Sequence, residues 1–187
     1  MTAEQIIQLL RLEKHPEEGG YFRETYRSRG AIDVSQLPPG YGAGPPTRSL
    51  GTAIYYLITP QSFSALHRLP GDEIFHHYLG DAVEMLMLHE GGRGEIVRIG
   101  SNLAAAESPQ VAVPGGTWQG SRLARRSGGG GDGGGGGAAT STGFALLGCT
   151  MAPGFDYADY AHGRRDELIE QFPAYADHIR RLTPEGA

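Results

Sequence analysis

From residue 51 onward the chain is a succession of short runs, each closed by glycine or proline. The runs 51–59 (GTAIYYLIT), 63–68, 72–79, 82–89 (AVEMLMLH), 95–99, 110–113 and 143–151 (GFALLGCTM) are rich in β-branched and aromatic residues or alternate in polarity. Runs of that length are too short for core helices, and their composition suits strands. Residues 21–28 (YFRETYRS) add an aromatic strand ahead of them. Many short strands with turn signals between them predict an antiparallel sandwich or barrel. The interior of such a barrel is the natural place for a ligand cavity.

The two ends differ. Residues 2–12 carry Ile6, Leu9 and Leu10 on one helical face, with Thr2 placed to cap them. Residues 164–172 and 174–182 are helical in pattern, interrupted by Pro173. Short helices at the ends of a β-domain are expected to cover a barrel mouth or a sheet face. The length of 187 residues and the lack of an internal repeat predict a single domain over 1–187. Within it, 128–137 holds nine glycines and one aspartate. A loop insertion over about 124–142 follows, expected to be mobile, remote from the pocket and part of a long hairpin. No Lys-Ser/Thr follows the glycines, so a phosphate-cradling loop is excluded.

Charge narrows the function classes. Sixteen Lys+Arg against 21 Asp+Glu give a formal net charge of -5, which excludes an electrostatic nucleic-acid binder. No apolar run reaches the roughly 18 residues needed to span a bilayer. No signal peptide is apparent, and the single cysteine, Cys149, cannot form an intrachain disulfide. A cytoplasmic protein is expected, with no membrane partner.

Two polar stretches stand out. The first, 67-HRLPGDEIFHHYLG-80, places His67 and Glu73 on neighbouring runs, where both side chains can reach one interior spot. The second, 113-VPGGTWQ-119, is a Pro-x-Gly turn leading into a strand. Together they resemble the two motifs of the cupin superfamily. His67 stands at the first histidine of the first motif, Leu69 at the second, Glu73 at the glutamate and Gly80 at the glycine. In the second motif Pro114 and Gly116 match, and Gln119 stands where the family has histidine. Two of the usual four metal ligands are therefore Leu69 and Gln119. With 17–28, 52–58 and 148–160 added, the chain is similar to the cupin-5 family, also called DUF985. That resemblance implies an all-β, antiparallel double-stranded β-helix (a jelly-roll barrel) and a homodimer. An aromatic and arginine-rich edge strand near 21–28 would suit the dimer seam.

For metal binding, His67, Glu73 and His77 are the candidates, and they predict a weakly bound divalent ion at best. Strict alternation puts Glu73, Phe75 and His77 on one face. The family pattern instead favours His76, and a bulge would reconcile the two. Acid–base chemistry needs less: one histidine near one carboxylate in an apolar barrel. By analogy with cupin epimerases, His67 is expected as base, Glu73 as its orienter and Tyr78 as acid, with Tyr55 and Tyr56 as the other tyrosine candidates. Arg23 and Arg68 would bind phosphate or carboxylate. Tyr55, His76, Trp118 and Gln119 complete the expected substrate-binding set. The expected activity is isomerisation or epimerisation of a sugar or sugar phosphate. The alternative is a non-catalytic nucleotide- or metabolite-binding module. In both, the partner is a small polar metabolite.

Overall fold

Alternation along the short runs becomes two facing sheets. The computed structural model describes residues 1–42, 44–125 and 141–184. Its elements in chain order are α1 (Ala3–Leu10), β1 (Glu13–Lys14), β2 (Tyr21–Arg27), β3 (Ala31–Asp33), β4 (Thr47–Ser49), β5 (Thr52–Ile58), β6 (Ser64–Arg68), β7 (Glu73–Gly80), β8 (Val83–Leu88), β9 (Gly94–Ile99), β10 (Gln110–Val113), β11 (Trp118–Leu123), β12 (Ala145–Met151), β13 (Ala161–His162), α2 (Arg165–Gln171) and α3 (Ala176–Arg181). One sheet has the order β1-β2-β5-β12-β7-β10 and the other β13-β6-β11-β8-β9, while β3 and β4 form a separate ribbon. All pairings between these strands are antiparallel. The chain steps from one sheet to the other at each link from β5 to β8, as a jelly-roll barrel requires.

The core fills the space between the sheets. Tyr56, Ile58, Phe75, Val83, Met85, Met87, Ile99, Val113, Leu147 and Cys149 form one buried interior cluster. Some of the outward-pointing strand residues lie beneath helices. Leu66, Leu86 and Leu88 pack beneath Leu168, Phe172, Ile179 and Leu182 of the C-terminal helical segment. Leu57 and Leu146 pack beneath Ile6 of α1. Thr2 and Gln5 close α1 with a reciprocal capping box. None of the described helices is long and apolar enough to cross a membrane.

Gly80, at the end of β7, has a φ of 94°, and a Cβ there would lie 2.2 Å from the carbonyl oxygen of Phe144. Only glycine fits that corner. Just beyond it, the Asp81 carboxylate accepts from the Ser141 hydroxyl and from the backbone N–H groups of Thr142 and Gly143. On the other side of the glycine tract, the Ala124 N–H donates to the Ala82 carbonyl.

The flanking strands correct one expectation. β11 and β12 lie in different sheets, so the connection between them is an inter-sheet link and not a hairpin. The expected mobility of the glycine tract falls on 126–140, outside the described residues. Its described ends meet at Asp81 and Ala82, the far end of β7 from Glu73. Eight strand residues, Glu73–Gly80, span roughly 23 Å.

Burial under the C-terminal helices makes a direct stability prediction. Leu168 is 1% exposed, whereas Leu9 on α1 is 71% exposed. Leu168→Ala should cost about 2–5 kcal/mol in urea unfolding, the usual range for a core leucine. Leu9→Ala should stay within about 0.5 kcal/mol of the parent. Equal effects would mean the helices do not share the core.

Candidate functional site

The turn 69–72 is short and joins the two sheets, so the end of β6 faces the start of β7 across the interior. That places His67 Nε2 at 3.9 Å from Glu73 Oε1. Both residues are buried, at 1% and 4% exposure. The third member comes from a different part of the chain. Glu18 Oε1 lies 3.7 Å from the same Nε2. Glu18 is held there by its backbone and its side chain: its carbonyl accepts from Ala65 N, and its Oε2 accepts from the Ser64 hydroxyl. The following Gly19 and Gly20 have φ of 87° and 70°, and a Cβ at Gly20 would lie 2.9 Å from the Leu57 carbonyl oxygen. The tight glycine turn is what lets Glu18 approach the barrel.

Hydrogen bonding fixes the protons. His67 Nδ1 lies 2.8 Å from the Ala65 carbonyl, so it carries a proton and donates. Its Nε2 faces the two carboxylates with no partner at hydrogen-bond distance. Burial disfavours the charged ring. The Glu18 charge, the interaction with Glu73 and the Ala65 carbonyl outweigh it and raise the His67 pKa to about 9. His67 is thus an imidazolium at neutral pH. Tyr160 stacks on it, with ring centroids 5.0 Å apart.

His15 is the opposite case. Its Nδ1 accepts from the backbone N–H groups of Glu17 and Glu18, so the neutral ring carries its proton on Nε2, 3.8 Å from Glu18 Oε1. Burial is the main cause of its lowered pKa, only partly offset by Glu18. Cys149 Sγ donates to Glu73 Oε2 at 3.5 Å. Burial first, then the charges of Glu73 and Glu18, push the thiol well above its usual range. Cys149 is therefore a protonated donor and not a nucleophile.

These groups border a cavity of about 80 Å³. His15, Glu18, Tyr56, Glu73 and Cys149 form its polar lining, and Phe22, Ile54, Phe75, Phe155 and Tyr157 its apolar and aromatic walls. At its edge Arg27 makes two hydrogen bonds to Glu24, of 2.9 and 2.6 Å, and two to the Phe155 carbonyl. The β-bulge between Glu24 and Tyr26 turns Arg27 back to the cavity side of β2. His67 is not part of the lining; Glu18 and Glu73 stand between it and the space.

Several expected site residues lie elsewhere. On β7, alternation prevails over the family pattern. His76 points outward, near Thr150 and Gln110, and stacks on Tyr78. The register shift in this strand pair falls beyond His76, between the partners of His77 and Leu79, and does not turn His76 inward. Tyr78 is 47% exposed and makes an edge contact with Tyr55, so neither tyrosine reaches the cavity. Arg23, paired with Tyr55, lies over its ring on the same outer face. Arg68 sits over the Trp118 ring, 4.6 Å from its centroid, and Trp118 packs on the cluster beneath the C-terminal helices. His77 Nε2 meets the Asp81 carbonyl at the far end of the strand. Gln119 is the Cα partner of His67 and is buried beside it, with its Oε1 unpaired.

The sequence reading missed Glu18, His15 and Tyr160, which lie outside both motifs, and did not select Arg27 or Cys149. Tyr56 could have been chosen over Tyr55 by alternation along β5, since it shares a face with Ile54 and Ile58.

The donor set does not fit the metal centre of the resemblance. Leu69 is buried and has no ligand atom, and Gln119 offers only an amide. His77, the third candidate, is bound to the Asp81 carbonyl, away from Glu73. Among the described residues no group of three His, Cys, Asp or Glu side chains is arranged to hold a metal ion. The cation that faces both carboxylates is the His67 ring.

That cation makes stability depend on pH. The folded value of about 9 exceeds the ~6.5 of an unfolded histidine. The stabilisation is fully present below about pH 6.5 and disappears as pH rises through 9. Urea unfolding should therefore show a fall of a few kcal/mol across that window. In His67→Gln the fall should be largely absent and the protein weaker at pH 6.5. A parent protein equally stable at pH 6.5 and 9.5 would contradict the imidazolium.

Comparisons with known proteins agree with this architecture. A family model described as "Cupin superfamily (DUF985)" matches residues 4–162. The uncharacterised protein YML079W of Saccharomyces cerevisiae is 30% identical over 171 residues, covering 89% of this chain and 78% of its own. A solved structure of a hypothetical protein from Leishmania major is 31% identical with a TM-score of 0.80, covering 99% of this chain and 100% of that one. Protein SO0799 from Shewanella oneidensis is 29% identical with a TM-score of 0.78, covering 98% of each chain. With the jelly-roll sheets and the motif residues in place, the chain belongs to the DUF985 family of the cupin superfamily.

Proposed function

We propose that this cupin is an acid–base enzyme of the isomerase or epimerase type, acting on a small hydroxylated, unphosphorylated metabolite. The observation that carries the reading is the pair of carboxylates, Glu18 and Glu73, that share a buried imidazolium at the wall of an apolar cavity. A carboxylate at the wall of the cavity can accept a proton from a substrate carbon. His15 faces the same space as a donor through Nε2, while the Tyr56 hydroxyl beside it donates to the Gly19 carbonyl at 2.8 Å. Burial keeps the Tyr56 phenol protonated, and His15 carries its proton on Nε2. His67 acts here as a positioning residue rather than as the base, because its lone pair is already protonated and it does not border the cavity.

The position of the arginines argues against a phosphorylated substrate. Arg23 and Arg68 lie over rings outside the cavity, and Arg27 is held by Glu24 and the Phe155 carbonyl. A binding module is the second reading, favoured by the ring-lined walls. A nucleotide is the wrong size for it: about 80 Å³ is well below the ~300–1,000 Å³ of common ligand pockets. The cavity admits the reacting end of a sugar-sized molecule.

The test is hydrogen exchange. Small aldoses and ketoses incubated with the protein in D₂O should take up deuterium at a carbon next to the carbonyl, read by NMR. Glu73→Gln should slow that exchange by about 100-fold or more, the scale of general-base catalysis. Tyr78→Phe should leave it unchanged, because Tyr78 lies on the outer face. Exchange that survives in the Glu18→Gln/Glu73→Gln double variant would refute the assignment.

A further inference from the structure

The cavity has more acceptors than donors. Glu18 Oε2 receives the Ser64 hydroxyl, and Glu73 Oε2 receives the Cys149 thiol. The Oε1 atoms of both face His67 Nε2 at 3.7 and 3.9 Å, beyond direct hydrogen-bond reach. That nitrogen is itself buried and unpartnered. Two carboxylate oxygens therefore remain open to a donor from the ligand.

Charge points the same way. Two carboxylates against one imidazolium leave one negative charge at the polar wall. Glu24 and Arg27 at the edge cancel each other. Burial disfavours the charged form of His15, and Cys149, Tyr56 and Tyr160 remain protonated. The opposite walls are rings: Phe22, Phe75, Phe155 and Tyr157. Aromatic faces carry negative quadrupole and attract cations, more strongly where water is excluded. An anion would meet one uncompensated negative charge and no free cation among the residues that line the space.

We infer that the ligand carries a cationic nitrogen, a protonated primary amine, seated between the Oε1 atoms of Glu18 and Glu73 and walled by these rings. The inference deepens the proposed function by naming the substrate class of the same cavity, and rests on that reading for its catalytic use. An ammonium supplies three donors in a compact head, which suits two acceptors in a small cavity. It also competes with His67 for the same carboxylates, so its binding should expel a proton where the imidazolium is still charged.

Isothermal titration of the full chain tests this with 2-aminoethanol, ethylene glycol, glycolate and manganese(II) chloride as probes. At pH 8, 2-aminoethanol should bind at least tenfold more tightly than ethylene glycol, with glycolate weaker still. Its heat should change with the ionisation enthalpy of the buffer, the signature of proton release. Glu18→Gln and Glu73→Gln should each lower amine affinity tenfold or more. If either variant fails to fold, Tyr157→Leu, at the cavity edge, should still weaken 2-aminoethanol while leaving ethylene glycol unchanged.

Equal affinity for the diol, or preference for glycolate, would overturn the inference. So would one-to-one manganese binding that displaces the amine, because the open oxygens would then serve a metal. The two readings fail separately. Deuterium exchange into uncharged sugars without amine preference would sink the cationic ligand and leave the acid–base enzyme standing. Amine binding with no exchange into amine-bearing aldoses would do the reverse.

Discussion

A buried imidazolium between two carboxylates is the constraint around which the polar interior is arranged. Each pair, at 3.7 and 3.9 Å, is worth about 4 kcal/mol at an effective dielectric of ~20. Taking each ion out of water costs several kcal/mol, so a single pair would barely break even. The second carboxylate tips the balance: a neutral ring would leave two negative charges facing each other across a bare lone pair. The other contacts follow from that need. Ala65 fixes the Nδ1 proton, Ser64 and Cys149 donate to the outer carboxylate oxygens, and Tyr160 lays a ring on the imidazolium face.

Barrel topology supplies this arrangement at low entropic cost. His67 and Glu73 are separated only by a turn, so the fold brings them together as soon as β6 and β7 enter opposite sheets. The later groups need longer closures. Tyr157 and Tyr160 lie after β12, and their segment is tied down by Arg48, whose guanidinium forms two 2.7 Å bonds to the Asp159 carboxylate. That ion pair is itself almost fully buried, at 1% and 3% side-chain exposure. Its planar fork suits a place where orientation matters. The same arginine donates to the Pro45 and Thr47 carbonyls, so one side chain ties the loop ahead of β5 to the wall of the cavity.

The fold was largely legible because strands announce themselves locally. The runs 72–79, 82–89 and 143–151 coincide closely with β7, β8 and β12, and Thr2 and Pro173 act where their chemistry says they should. Pairing was less legible. The glycine tract looked like the loop of a hairpin because its flanking strands are sequence neighbours, yet sheet membership is set by the whole jelly roll. The site was legible only where a motif carried it. His67, Glu73 and Gln119 lie together, as their motif positions implied. Arg23, Tyr55, Tyr78 and His76 failed for one shared reason: polar or aromatic type was weighed above strand parity. Phe22, Ile54, Tyr56, Glu73 and Phe75 all have the inward parity and all line the cavity. Glu18 and His15 have no such signal. Their place depends on a positive-φ glycine turn that periodicity does not register.

Leu69 and Gln119 explain how one barrel position can exchange one kind of chemistry for another. Where a family site has four ligands, a divalent ion offsets the glutamate and polarises whatever binds. Replacing two ligands with a buried leucine and an amide removes the means to hold that ion firmly, but the glutamate remains buried and its charge must still be met. A second carboxylate, Glu18, would make that problem worse if nothing else changed. Protonating His67 resolves part of it, because a ring that would donate a lone pair to a metal instead presents a positive edge to both acids. One negative charge is left over, within reach of the cavity. The protonated ring and the two acids thus form one electrostatic unit in which His67 offsets part of the charge of Glu18 and Glu73.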